Sequence, residues 1–382
     1  MQSNVINNEY LTHRIYGLDI VRVILLLLGV VLHTLMFQAE VVSFHNLGHA
    51  LKLTNVVDAQ LHFPVLLLTI IHTFRMPAFF MLAGFFASFL FAKYGVLGFL
   101  SNRFKRIVVP LLALLTWTNL PNVVPYIANF FLNHNIHHFS IAAMQLHSIS
   151  FIWFLIYLMF MELLFVILSP LIEGIYNIFR NKTFWFFAGL FLLSLGALVL
   201  QLDWYFITAF DSGYQATIAH FLFFFCFFLA GGILARGETL ATIQSHKILI
   251  VTLISAIVSG AAYLYLLQAT PHFSQVLLLV NGLHCLYAWF MSFAILIAAM
   301  LFGSKKNRVV RYLSDASYFI YLAQVPTLLL LYGVFAQLPL SWPQSFVCLL
   351  CSVSIVDLIL YQILVRKKKW LSYIDGGKLT SK

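Results

Sequence analysis

Residues 17–33, GLDIVRVILLLLGVVLH, decide the fold. Between Arg22 and His33 lie ten residues, all apolar except Gly29. Eleven helical steps of about 100° return to within about 20° of the starting face, with a rise of about 16 Å. The stretch therefore predicts a membrane helix with a guanidinium near one water boundary. An imidazole on the same stripe lies about halfway into a hydrocarbon core of about 30 Å. Ionisable groups at that depth are costly and mark function.

The rest of the chain agrees with that class. Of 382 residues, 62% are hydrophobic and only 9% are charged, against about 25% charged in an ordinary soluble domain. Strands of a membrane barrel alternate apolar and polar residues. Runs such as FLFFFCFFLAGGILA at 221–235 do not. The expected fold is an all-α polytopic membrane bundle of about ten transmembrane helices. Hydropathy places them near 20–37, 62–91, 108–132, 151–173, 184–202, 215–235, 248–268, 276–302, 317–337 and 344–365. The segment 62–91 is long and holds Pro64 and Pro77, so a tilt or kink is expected there. The chain reads as one domain, with a cytoplasmic tail at 1–19, the bundle at 20–365 and a basic cytoplasmic tail at 366–382.

Charge supports both termini being cytoplasmic. Nearly all of the 22 Lys and Arg fall in segments that alternate to one side. These include Arg14, Lys93, Arg103, Lys105, Arg106, Arg180, Lys182, Arg236, Lys247, the 305–311 cluster and the C-terminal tail. Lys52 is the exception in an outer loop. This is the positive-inside pattern, and it accounts for the net charge of +10 without nucleic acid, for which no basic aromatic module exists. Cys226, Cys285, Cys348 and Cys351 all lie in spans and read as small buried hydrophobes. The polar start of the chain does not read as a cleavable signal.

Asp19 and Arg22, three apart, can pair on one helix face, either as a boundary anchor or as part of a site. The second span reads HTFRMPAFFMLAGFF. His72 and Arg75 share a face there, and Pro77 frees a backbone carbonyl nearby. An Arg so deep must meet an acid or a polar cavity. Glu162, near the middle of the fourth span, is the first candidate counter-ion and Asp357 the second. His220 and His284 read as structural histidines. The loop NHNIHHFS, with His134, His137 and His138, lacks a carboxylate or Cys to complete a metal site, so no metal is expected. Gly84 in LAGFF allows a close helix approach.

Five elements in order resemble the membrane acyltransferase-3 family. GLDIVRVILLLLGVVLH carries an R-x10-H pattern, and FRMPAFFMLAGFF resembles the family's F-x-x-S-G-F-F element. RFKRIVVP at 103–110 is similar to its basic boundary; WFL at 153–155 and SYFIYL at 317–322 follow. The length and IHTFRMPAFFMLAGFF are most similar to a branch acting in glucan biosynthesis, implicated in succinylating osmoregulated periplasmic glucans. The resemblance implies a multi-pass protein of the bacterial inner membrane, a cytoplasmic acyl-CoA donor and a glycan hydroxyl acceptor outside. No permanently bound cofactor is implied, and His33 becomes the catalytic histidine. Two positions depart from the pattern: Gln324 stands where many relatives have His, and Phe151 and Ile152 precede Trp153 where a His is common.

The expected chemistry is O-acyl transfer of a succinyl or acetyl group. A neutral imidazole takes the hydroxyl proton and a guanidinium steadies the oxyanion. His33, Arg75 and His72 are the catalytic candidates. Arg22, Arg103, Lys105 and Arg106 form a basic rim suited to the phosphates of CoA. The alternative is a proton-coupled transporter using the same buried charges, though neither an inverted repeat nor paired broken helices are evident.

Overall fold

The computed structural model describes residues 15–38, 63–112, 149–179, 182–200, 218–269, 273–303, 307–335 and 338–367. Among these residues every regular element is helical. They are α1 (Tyr16–Gln38), α2 (Phe63–Arg103), α3 (Ile149–Phe179), α4 (Thr183–Leu200) and α5 (Ile218–Leu234). The short α6 (Gly237–Ile243) follows, then α7 (His246–Ala269), α8 (Phe273–Phe302), α9 (Arg308–Phe335) and α10 (Trp342–Leu360). Wider π-helical turns, Phe104–Val108 and Tyr361–Arg366, extend α2 and α10. Seven stretches among the described residues are long and apolar enough to cross a membrane, and α5 is a shorter apolar helix. The expected third span, 108–132, lies outside the described residues beyond Leu112, as does the His134–His138 loop.

Helix ends follow local chemistry. Asn307 caps α9, its Oδ1 accepting from the N–H groups of Val309 and Val310 at 2.8 and 3.2 Å. Gln344 Oε1 accepts from the Ser341 N–H at 3.0 Å, and a proline opens the first turn of α10.

The expected kink is present but in another place. Pro77 lies within α2, whereas the helix breaks at Gly95, where φ is 64°. That left-handed backbone costs glycine nothing and strains other residues. A straight helix of 41 residues would run about 61 Å, twice the hydrocarbon core. The bend folds the end of α2 back, so that the Phe91 and Phe99 rings lie 5.8 Å apart and both meet Phe165 of α3.

Two apolar cores organise the bundle. The larger joins α1, α2, α3, α4, α5 and α8, with Leu18, Val21 and Leu25 of α1 packed beside fully buried rings such as Phe80, Phe224, Phe227 and Phe228. The second joins α1, α9 and α10 around Leu26, Ile320, Leu328, Leu349 and Val353. Gly84 does allow a close approach: a Cβ there would collide with the backbone carbonyl of Phe228, and one at Gly231 with that of Met81. The α2 and α5 backbones thus touch in the manner of small-residue membrane interfaces. Outward faces carry bare apolar side chains such as Ile178, Leu200, Val258 and Leu330, as lipid contact requires. Cys226 and Cys285 are buried as expected, but Cys348 and Cys351 are exposed, because that face of α10 has no helix against it among the described residues.

Candidate functional site

The site forms where α1, which contributes to both cores, and α9 meet α2 and α8. Helices α1 and α2 run antiparallel. At one end the Arg22 guanidinium lies 4.0 Å from the Phe86 ring centre. One helix turn before His33, Gly29 faces Arg75, and a Cβ added there would come within 3.2 Å of the guanidinium carbon. Gly29 thus leaves the slot into which Arg75 fits. The Arg75 residue is only 3% exposed.

Helix α9 runs parallel to α1 and supplies a polar stripe. Ser314 donates to Asp19 Oδ1 at 2.8 Å, while Asp19 sits 3.8 Å from Arg22. The Tyr318 hydroxyl donates to the backbone carbonyl of Arg106 at 2.7 Å. Farther along, Tyr321 lies within electrostatic reach of Arg75, and a side-chain hydrogen bond links Gln324 to His33. Ser314, Tyr318, Tyr321 and Gln324 fall within about 120° of arc over about 15 Å of helix. That length matches the Arg22-to-His33 spacing, so the α9 stripe runs alongside α1 from the one residue to the other.

At the His33 end of this stripe several polar atoms are buried with no hydrogen-bond partner among the described residues. They are His33 Nδ1, Arg75 Nε and Gln324 Oε1. Buried polar groups are nearly always satisfied, so three such atoms at one end of the stripe make it a candidate binding site. His72 also faces His33 closely enough to interact electrostatically.

The counter-ion expected for Arg75 is a correction. Glu162 pairs instead with Arg103 at 3.0 Å, because the bend at Gly95 swings the end of α2 against α3. Asp357 accepts from the Thr327 hydroxyl at 2.7 Å. Among the described residues no carboxylate lies within ion-pair distance of Arg75, whose side chain instead lies near the Phe79 ring, 5.7 Å from its centre, and near Tyr321. Of the three ion-pair candidates, Asp19 pairs with Arg22 and Glu162 with Arg103, while Asp357 is held by a hydroxyl.

The basic rim is also reshaped. Arg22, Arg103, Lys105 and Arg106 do gather at one end, but Arg103 is committed to Glu162. Lys105 is exposed and Arg106 is partly buried. The parts that sequence reasoning missed are Gly29, Ser314, Tyr318 and Tyr321. Their signal was the recurrence of hydroxyl and amide residues at helical spacing through SDASYFIYLAQ, 314–324.

A buried cation with no acid within ion-pair distance among the described residues, an imidazole beside it and basic residues at one end thus sit together on a multi-pass helical scaffold. The family model described as an acyltransferase domain matches residues 15–361, and the chain belongs to that family, acyltransferase-3. It is a membrane acyltransferase. Two similar proteins are the Glucans biosynthesis protein C of Escherichia coli strain K12 and that of strain SMS-3-5 / SECEC. Each is 26% identical over 401 residues, covering 97% of this chain and 96% of the relative. No solved structure matches.

Proposed function

We propose that this protein carries an acyl group from acyl-CoA at the cytoplasmic face to a hydroxyl of a glycan on the far side of a bacterial inner membrane. The observation that carries the reading is Arg75, buried at 3% exposure with no carboxylate partner among the described residues and adjoining His33. A lone cation in the bundle costs at least about 2.5–3.5 kcal/mol, so stability does not explain it. Charge developing during a reaction does.

The acceptor hydroxyl gives its proton to the His33 imidazole as its oxygen attacks the thioester carbonyl. Arg75 stabilises the oxyanion that forms. Collapse breaks the C–S bond, and the imidazolium returns the proton to the CoA thiolate, leaving an ester and free CoA. Gln324 steadies the ring of His33. Arg22, Lys105 and Arg106 hold the phosphates of CoA at the opposite end of the α9 stripe, about 16 Å away along α1, a span the pantetheine arm can bridge. The name of the relatives supports a glucan acceptor, with succinyl or acetyl as the group moved.

The topology of the reading is ten spans with both termini inside. It is supported by helix directions: α2 and α3 run parallel, since Phe80 meets Phe154 and Phe91 meets Phe165. Both therefore start on the same face, as the second and fourth spans must. Helices α1 and α9 are likewise parallel, as the first and ninth must be.

The test is His33→Ala in living cells, with mass spectrometry of periplasmic and surface glycans. Loss of acylation by about 10²-fold or more, with normal membrane insertion, is the expected result. Normal acylation by well-expressed His33→Ala protein would refute the assignment.

A further inference from the structure

We infer that a row of histidines running from His33 through His72 and His284 to His220 is the binding site for the neutral, hydroxyl-rich acceptor. The inference rests on the acyl-transfer reading and names the residues that receive its second substrate.

The row crosses four helices. His33 of α1 and His72 of α2 lie within electrostatic reach of each other; His284 of α8 lies within reach of His72 and of His220 of α5, and its ring meets that of Phe223, about one turn after His220 on α5, with centres 6.1 Å apart. All four lie toward the end of the bundle opposite Arg22 and Arg106. His220 stands in the first turn of α5, so the row leads from the reacting centre to that end. His284 is 8% exposed. Its Nδ1 lies 3.3 Å from the Tyr263 hydroxyl, and Tyr263 is hydrogen-bonded in turn to Thr73. These contacts fix the ring. They leave His284 Nε2 buried with no partner among the described residues, as His33 Nδ1 is. Two orphaned imidazole nitrogens thus stand at separate points of one row, with His72 between them.

Three features select the ligand. Each neutral imidazole offers one donor and one acceptor, which matches a hydroxyl, able to do both. Arg75 stands beside the row at its His33 end, where it serves the oxyanion; the groups acting on His284 are His72 and His220, so that stretch is not built for an anion. No three His, Cys, Asp or Glu side chains among the described residues converge as a metal-ligand set. A spaced series of such groups fits several hydroxyls on one molecule, as a sugar presents them. A structural role for His284 alone would need only the Tyr263 bond and would not leave the second nitrogen bare in the interior.

The experiment uses the full-length protein in phospholipid vesicles with succinyl-CoA or acetyl-CoA and a linear glucose oligosaccharide. Initial rates are measured against each substrate in turn, and binding of the oligosaccharide is measured without donor. His284→Leu is expected to raise the KM for oligosaccharide, and to weaken donor-free binding, by about tenfold or more. The KM for acyl-CoA should move far less. His284→Gln, which keeps a hydrogen-bonding group, should recover much of the loss. If His284→Leu does not fold, His220→Gln decides by the same criteria. A folded variant with wild-type KM and binding overturns the inference, as does a wild-type protein that transfers acyl groups to the oligosaccharide yet loses both substrates equally in the variant. Wild-type protein that binds the oligosaccharide through His284 but transfers nothing would instead overturn the acyl-transfer reading and leave the site standing.

Discussion

Replacing Gly29 separates the stability of α1 from the chemistry of Arg75. Glycine in a helix interior costs about 0.8–1.0 kcal/mol relative to alanine, so on propensity alone Gly29→Ala should stabilise the protein. The added Cβ, however, would lie 3.2 Å from Cζ and Nη2 of Arg75 and 3.4 Å from its Nε. The guanidinium must retreat by a few tenths of an ångström to regain ordinary contact, and a branched side chain such as Val pushes it farther, on the order of 1 Å. A misplacement of that size at a reacting centre costs about 10²-fold in rate. The expected series is a modest fall in kcat for Gly29→Ala and about 10²-fold for Gly29→Val. Melting temperature in detergent should be equal or higher for the alanine variant. The control is Gly189→Ala on α4, where a Cβ meets nothing within 4 Å and only the propensity gain should register. Activity is read as thiol release from acyl-CoA in the presence of acceptor. Wild-type turnover by folded Gly29→Val would refute the view that Arg75 works from the slot Gly29 provides.

Glu162→Gln leaves Arg103 without its acid and should destabilise by about 3–5 kcal/mol; Arg103→Gln in the same chain should recover much of it in thermal unfolding, and a double variant as unstable as the single one would argue against the pair. Gly84→Ala forces apart the α2 and α5 backbones and should cost about 1–3 kcal/mol as overpacking does, while Gly189→Ala does not; equal melting temperatures would contradict the contact. The loop after α2 should face the cytoplasm. A Cys at exposed Ser101, in a chain lacking its four native cysteines, should resist an impermeant thiol reagent on intact cells, and a Cys at Ser140 should react; the reverse pattern would put the basic rim on the wrong side.

Helix formation, membrane class and the shared stripe of Arg22 and His33 were legible from the chain alone. Each depends on spacing within one segment, where 3.6 residues per turn and the length of an apolar run leave little choice. The same holds for the Asp19–Arg22 pair, three residues apart, and for Gly84, whose missing side chain permits contact wherever its face turns. The acid that meets each buried arginine was decided only by tertiary structure. Glu162 and Arg75 both read as mid-membrane groups in want of a partner. The bend at Gly95 gave Glu162 to Arg103 and left Arg75 to Gly29, Tyr321 and His33. Lipid and protein interior are about equally apolar, so hydropathy does not say which face of a membrane helix turns inward. A rotation of a few tens of degrees about α9 would carry Tyr321 and Gln324 away from α1. Only the packing of α1, α9 and α10 around one core and α2, α5 and α8 around the other holds that rotation, and with it a cation beside the imidazole that meets no carboxylate among the described residues.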